Sequence, residues 1–225
     1  METPNGTMTS RRKLHLIVLT VLAGCEANVD GWTKEDPGGT DDVHDALAAL
    51  PNAEVLEWTP DGLPTYIVGE MMKVGAMQSD DPIASDSALR DQLTPVLAAF
   101  RLHTTDLVLK KMNVDDSGDR HFRYSQMFNG LPVIGGDLVV HVDVKGAVYS
   151  VNGTARGDIP PSMGATMISE AQAKSAIAGD GRFAGLTTTA SRLVYIEADG
   201  AMHKAYEATV EGMRGVNPAR DKVYV

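Results

Sequence analysis

The chain has a single cysteine in 225 residues, Cys25. An intrachain disulfide is therefore excluded, and so is a Cys-rich zinc site. Aromatic residues make up only 5%, so a core must rest on Val, Leu, Ile, Met and Ala. Beyond the N-terminal region no stretch approaches the roughly 18 apolar residues that span a bilayer. No basic stripe interleaved with aromatics occurs and the net charge is −10, which argues against nucleic-acid binding. Catalytic signatures are missing as well. There is no His-Glu-x-x-His, no Gly-x-Ser-x-Gly elbow and no phosphate-cradling Gly loop. The six histidines (His15, His44, His103, His121, His141 and His203) are scattered. His121 and His141 fall on neighbouring expected strands and, with Asp143, would make a thin metal site. Polar residues on the wet face of a sheet explain them better.

What remains is ordinary globular material. Hydrophobic residues make up 43% and charged residues 22%, and the length allows one large domain or two small ones. The first strong signal is the leader. Ser10-Arg11-Arg12-Lys13 is basic, and Leu14 to Ala23 is almost wholly apolar, the layout of a secretory signal too short to be a span. Residues 1–7 add nothing to it, so the start is Met1 or Met8. The run closes Leu22-Ala23-Gly24-Cys25. This resembles the bacterial lipobox, in which a small residue precedes a Cys that is acylated and becomes the mature N-terminus. Residues 1–24 are thus read as a lipoprotein signal peptide, with Cys25 as the lipidation site and membrane anchor. The expected location is outside the bacterial cytoplasm, as an envelope lipoprotein or a secreted protein.

Residues 25–62 are expected to form a Gly/Pro-bearing tether and a short helix over Asp41 to Leu50. Thr65 to Val74 reads as a strand and Gln78 to Asp86 as a polar loop. A helix follows, with Leu89, Leu93, Val96, Leu97 and Phe100 on one face. Pro95 inside it predicts a kink or two short helices. Leu107 to Asn113 reads as a strand. Asp115-Asp116-Ser117-Gly118-Asp119 invites a calcium reading, but it lacks the later Glu of an EF-hand loop, and a solvated turn is preferred. Arg120 to Phe128 alternates with Phe122, Tyr124, Gln126 and Phe128 on one side. Asn129-Gly130 is a hairpin signal, since both central residues of a type I′ turn need positive φ. Leu138, Val140, Val142 and Val144 alternate next, Lys145-Gly146 turns the chain, and Ala147 to Val151 completes an antiparallel meander. After Pro160-Pro161, Ser169 and Gln172 form a capping box for a short helix. Arg192 to Ala198, Met202 to Glu211 and Lys222 to Val225 read as strands. The fold class is α+β: two small units, each an antiparallel sheet packed on a helix, in cystatin-like fashion.

The run His121 to His141, with its Tyr124, Gln126, Asn129-Gly130-Leu131-Pro132-Val133, Gly135-Gly136 and Val-rich strand ending in His141, resembles the fungalysin/thermolysin propeptide domain, here assigned to residues 63–157. Ser169-Glu170-Ala171-Gln172-Ala173, Lys204-Ala205-Tyr206-Glu207-Ala208 and Arg220-Asp221-Lys222-Val223-Tyr224-Val225 resemble the PepSY module, assigned to 158–225 and expected to be cut short at its C-terminus. The resemblance implies the pro-region of a secreted thermolysin-like zinc metallopeptidase, a zymogen segment that acts as intramolecular chaperone and inhibitor. It implies no catalytic residue, metal or cofactor in this chain; zinc belongs to the cognate catalytic domain, which would be the partner in cis or in trans. The sheet bearing Tyr124, Gln126, Asn129, Gly130, Pro132, Gly135, Gly136 and His141 is the candidate partner-facing surface. Two alternatives are a free-standing envelope lipoprotein that binds or inhibits proteases, and the N-terminal fragment of a full metalloendopeptidase precursor.

Overall fold

The computed structural model describes residues 41–75, 80–162 and 167–225. Cys25, the leader and the tether behind it lie outside the described residues. The fold is mixed α+β, mostly sheet with a few short helices. Contacts divide it into two units. The larger comprises described residues up to 167 together with 193–205, and the smaller comprises 168–192 with 206–225.

In the larger unit, α1 (Asp41–Ala48) and β1 (Glu54–Trp58) precede β2 (Pro64–Lys73). Both lie within the stretch expected to be tether and short helix. β1 escapes a sequence reading because five residues containing Glu54 and Glu57 carry little period-2 signal. It is held instead by pairing with β2, Glu54 opposite Val68 and Trp58 opposite Pro64. Val43, Trp58 and Leu63 form a small core of their own.

Helix α2 (Pro82–Arg90) starts inside the expected polar loop. The reason is N-cap chemistry: Asp81 accepts from the backbone N–H groups of Ile83 and Ala84, and Pro82 occupies the first turn, where no N–H is needed. The helix expected over 86–100 divides as Pro95 predicts, into α2 and α3 (Thr94–Ala98), with Pro95 in the first turn of the second piece. Leu89, Leu93, Val96, Leu97 and Phe100 are all buried, against Ile67, Phe122, Tyr124, Leu138, Val140 and Val151 of the sheet.

That sheet is built from β3 (Leu107–Val114), β4 (Arg120–Phe128), β5 (Leu131–Val142) and β6 (Ala147–Gly153), with β6 also pairing β2. Neighbours are antiparallel throughout this meander. Val144, expected on the buried face, lies in the β5–β6 turn and is 54% exposed. Alternation ends at Val142, because Asp143 takes over the turn by accepting from Lys145 N and Ala147 N.

A further strand, β7 (Leu186–Ala198), departs from the all-antiparallel expectation. Its Tyr195 and Ile196 pair in parallel with Val133 and Ile134 of β5. β7 turns at Asp199-Gly200, both with positive φ, into β8 (Ala201–Arg214). Val133, Tyr195 and Met202 share a buried cluster with Ile159.

In the smaller unit the helix α4 (Glu170–Ala178) has the expected capping box of Ser169 and Gln172. Its Ile177, with Phe183, packs on Ala208 and Val210 of β8 and Val223 of β9 (Asn217–Tyr224). β8 and β9 are antiparallel, from Glu207 opposite Tyr224 to Arg214 opposite Asn217. β8 runs longer than expected at both ends, and β9 starts five residues earlier than expected. A polar edge such as Asn217-Pro218-Ala219-Arg220 carries no apolar alternation, and cross-strand pairing alone extends it.

Candidate partner-facing sheet

The β4–β5 hairpin is built from its turn outward. Asn129 and Gly130 have φ of 47° and 78°, the pair of positive values that a two-residue turn matching strand twist requires. Both are exposed. Phe128 and Leu131 close the turn, with Met127 opposite Pro132.

The register then breaks. Ser125 faces Asp137, whereas Met127 faces Pro132, so residues 133–136 stand opposite Gln126 alone. This bulge divides β5 into two parts. The first, Val133-Ile134, pairs with β7. The second, from Asp137 on, pairs with β4 and β6. Gly135, at φ 82°, turns the chain between them. Gly136 is required for space rather than conformation: a Cβ there would stand 2.7 Å from Gln126 Oε1.

Gln126 is 2% exposed and serves the fold. Its Nε2 donates to Arg156 O at 2.5 Å, and its Oε1 accepts from Arg156 N at 3.1 Å. One side chain thus satisfies both backbone groups of a residue beyond β6. The Thr154 hydroxyl donates to Gly135 O, which ties the bulge to the same segment. Tyr124 is wholly buried. Its hydroxyl donates to Asp86 Oδ1 at 2.7 Å, and burial, then Asp86, push its pKa up. Asp86 is paired with Arg90 at 3.0 Å, and Arg90 caps the carbonyls of Thr104 and Leu107. Tyr124, Gln126 and Gly136 therefore belong to the interior. Of the residues named from the sequence as a partner-facing set, Asn129, Gly130 and Gly135 are exposed, and Pro132 and His141 are half-buried. The outer face of β4 and β5 presents His121, Arg123, Ser125, Asp137, Val139 and His141.

On that face His121 and His141 do meet, with Nδ1 atoms 2.7 Å apart. Asp143 does not join them, being engaged by its own turn. Among the described residues no group of three His, Cys, Asp or Glu is gathered as metal ligands. In the acidic turn, Asp115 Oδ1 accepts from Ser117 N and Asp119 N, so the cluster organises a turn. Among the described residues, no helix is long and apolar enough to cross a membrane.

Two ion networks were not legible in the sequence. Arg156 pairs with Asp61 at 2.7 Å and Asp158 at 2.8 Å, and Arg101 pairs with Asp158 at 2.6 Å and Asp42 at 2.9 Å. Burial alone would raise Asp158, but Arg156 and Arg101 outweigh it and hold the carboxyl low. Beside Arg156 lies an open cavity of about 480 Å³ lined by Leu63, Pro64, Phe100, Ala155 and Glu197 among others. Burial pushes the Glu197 carboxyl up. In the smaller unit, Glu207 is 4% exposed and receives Arg192 at 2.9 Å and Lys222 at 2.5 Å. Burial would raise it, and the two cations together bring it below the ordinary carboxylate value. Such partners lie far apart in sequence, and no local pattern announces them.

Comparison with known proteins agrees with this anatomy. Residues 105–155, which run from just before β3 to just past β6, match the Fungalysin/Thermolysin Propeptide Motif family. Bacillolysin of Bacillus amyloliquefaciens is 34% identical over 88 residues, covering 39% of this chain and 17% of that protein. The transglutaminase-activating metalloprotease of Streptomyces mobaraensis is 35% identical over 113 residues, 48% of this chain and 15% of that protein. The chain thus spans about a sixth of the length of these relatives. Among solved structures, the Bacillus megaterium YpeB C-terminal domain aligns over 73% of this chain and 68% of that one, at 16% identity and a TM-score of 0.32. Residues 105–155 carry the fungalysin/thermolysin propeptide motif, and the chain is similar to the pro-regions of thermolysin-like proteases.

Proposed function

We propose that this chain is the pro-region of a thermolysin-like zinc metallopeptidase, which assists folding of the catalytic domain and blocks it until cleavage. The match of residues 105–155 carries the reading. The geometry supports it with a surface that needs little ordering on docking. The hairpin is fixed from below by Gln126, Gly136 and Tyr124, and it projects an exposed Asn129-Gly130 turn beside a polar outer face. A partner that shares this surface in its native state would be stabilised by mass action. Zinc would reside in the partner, and the PepSY-like segments would extend the pro-region through the smaller unit.

The test is a titration of the chain against the mature protease encoded with it, with refolding of the denatured protease followed in parallel. Inhibition or faster refolding at micromolar concentration is expected. Neither effect at that concentration sinks the reading. A second reading, a lipid-anchored envelope protein that binds proteases in trans, is favoured by Leu22-Ala23-Gly24-Cys25. A third, the N-terminal part of a full metalloendopeptidase precursor, is favoured by the small share of the relatives' length that this chain spans. The reading frame after codon 225 separates them. A His-Glu-x-x-His downstream favours the third, and a stop codon favours the second.

A further inference from the structure

The outer face of the β4–β5–β6 meander holds a cluster whose hydrogen bonds limit how many protons it can carry. His121 and His141 are direct cross-strand partners. Their Nδ1 atoms are 2.7 Å apart, and the rings meet nearly edge to face, at 70° with centroids 4.9 Å apart. His121 Nε2 lies 3.2 Å from Asp115 Oδ2, and His141 Nε2 lies 2.9 Å from Asn152 Oδ1.

The proton count follows from donor and acceptor chemistry. Asp115 already accepts two backbone N–H groups through its other oxygen, so it acts as a carboxylate and only accepts. His121 Nε2 must then carry a proton. One proton, and only one, fits between the two Nδ1 atoms at hydrogen-bond distance. His141 Nε2 carries a proton when the Asn152 oxygen faces it and none when the amide nitrogen does. The closed cluster therefore holds at most three ring protons on four ring nitrogens. A fourth makes both rings cationic, sets two N–H groups head to head at 2.7 Å and breaks the contact.

We propose that the His121–His141 pair is a proton-operated latch: closed while one proton bridges the two Nδ1 atoms, and opened by acid when both rings are charged. The surroundings set its balance. Asp115 and Asp119, from the β3–β4 turn, favour positive charge. Arg123, beside the pair on β4 and 3.6 Å from Asp137, opposes it, as does Lys111, opposite Arg123 on β3. Tyr149 of β6 packs its ring 5.9 Å from His141. Tyr66 of β2 stands opposite Asn152, and the register neighbours Asn113, Ser150 and Val68 are uncharged. Burial, with His121 and Arg123, moves His141 below the ordinary imidazole value of 6.5 despite its bond to Asn152.

The sign follows by linkage. Below pH 6.5 the unfolded chain protonates His141 while the folded chain resists, so stability falls as pH drops from 6.5 to the folded value. Opening removes the side-chain link across β4 and β5 and loosens the outer face locally. It needs no change in the core beneath.

The experiment is an imidazole ¹⁵N NMR titration of the full chain between pH 8 and pH 4, with chelator present, alongside urea unfolding at the same pH values. The expected result is two coupled steps for the pair, separated by about one pH unit or more, a tenfold difference in proton affinity. The wild-type urea midpoint should decline from pH 6.5 downward. His141→Asn keeps an acceptor near Nδ1 but cannot take the fourth proton, and it should lose that decline. Two histidines titrating independently with a common midpoint near 6.5 would overturn the latch. So would an acid decline of equal size in His141→Asn. The wild-type titration decides the matter even if the variant does not fold.

Discussion

Gln126 belongs to the sequence motif, yet it is buried and its amide holds both backbone groups of Arg156. Gln126→Met keeps the length of the side chain but leaves Arg156 N and O without partners. A loss of roughly 1–3 kcal/mol is expected in urea unfolding, the cost of leaving half-buried backbone groups without partners. A change below a few tenths would show that water replaces the amide. The glycines of the same hairpin separate two causes. Gly130 has φ 78° and open space around it, so Gly130→Ala costs only backbone strain, about 1 kcal/mol. At Gly136 the added methyl would strike the Gln126 side chain at 2.7 Å, and Gly136→Ala should be the worse of the two because it also disturbs the bond to Arg156. Equal losses would contradict the steric account. Gly130→Val should be worse than Gly130→Ala, since a β-branched residue resists positive φ, and protease inhibition should fall with it if the hairpin docks.

At the scale of elements, legibility tracked whether local sequence or tertiary pairing decides an element. The hairpin at Asn129-Gly130, the division of the helix at Pro95 and the capping box at Ser169 were all readable, because turn, breaker and cap are local chemistry. β1 was not, because five half-polar residues become a strand only against β2. The parallel pairing of Val133-Ile134 with Tyr195-Ile196 was equally hidden. Alternation reports which side of a strand is buried, not which neighbour it takes. The same holds for the candidate site. Tyr124 and Gln126 were recognisable as motif residues, but only packing shows that they face inward and leave the outer face to Arg123, Ser125 and His141. The pairing of β8 with β9 brings Lys222 onto Glu207, and this element-level contact predicts a pH effect. The folded Glu207 carboxyl lies below its ordinary value of 4.5. Its contribution is therefore complete above pH 4.5 and lost as pH falls through the folded value. Glu207→Gln should cost about 1–2 kcal/mol at pH 7 and flatten the unfolding midpoint below pH 4.5. An unchanged acid limb in the variant would assign that limb to other carboxylates.

For the whole molecule, the expected anchor can be tested in a Gram-negative host. The wild-type protein should partition into detergent on phase separation, and Cys25→Ser should move it to the aqueous phase. Wild-type protein wholly in the aqueous phase would rule out lipidation. Two or three acyl chains, unlike one, suffice for stable attachment. The division of β5 between two sets of neighbours has a kinetic consequence. Its second part meets β4 and β6 across short turns, whereas Val133 must find Tyr195 roughly 60 residues further along, a loop whose closure is entropically slower. The meander should therefore assemble first, and β7 should dock on it late. Val140→Ala, in the meander, should chiefly slow folding. Val133→Ala should leave the folding rate nearly unchanged and speed unfolding about fivefold for a loss of ~1 kcal/mol. A chain emerging from the ribosome would meanwhile present Val133-Ile134 as an unpaired strand edge, the kind of surface that recruits other chains. Until β7 has been synthesised, this short segment lacks its partner and is open to misassociation.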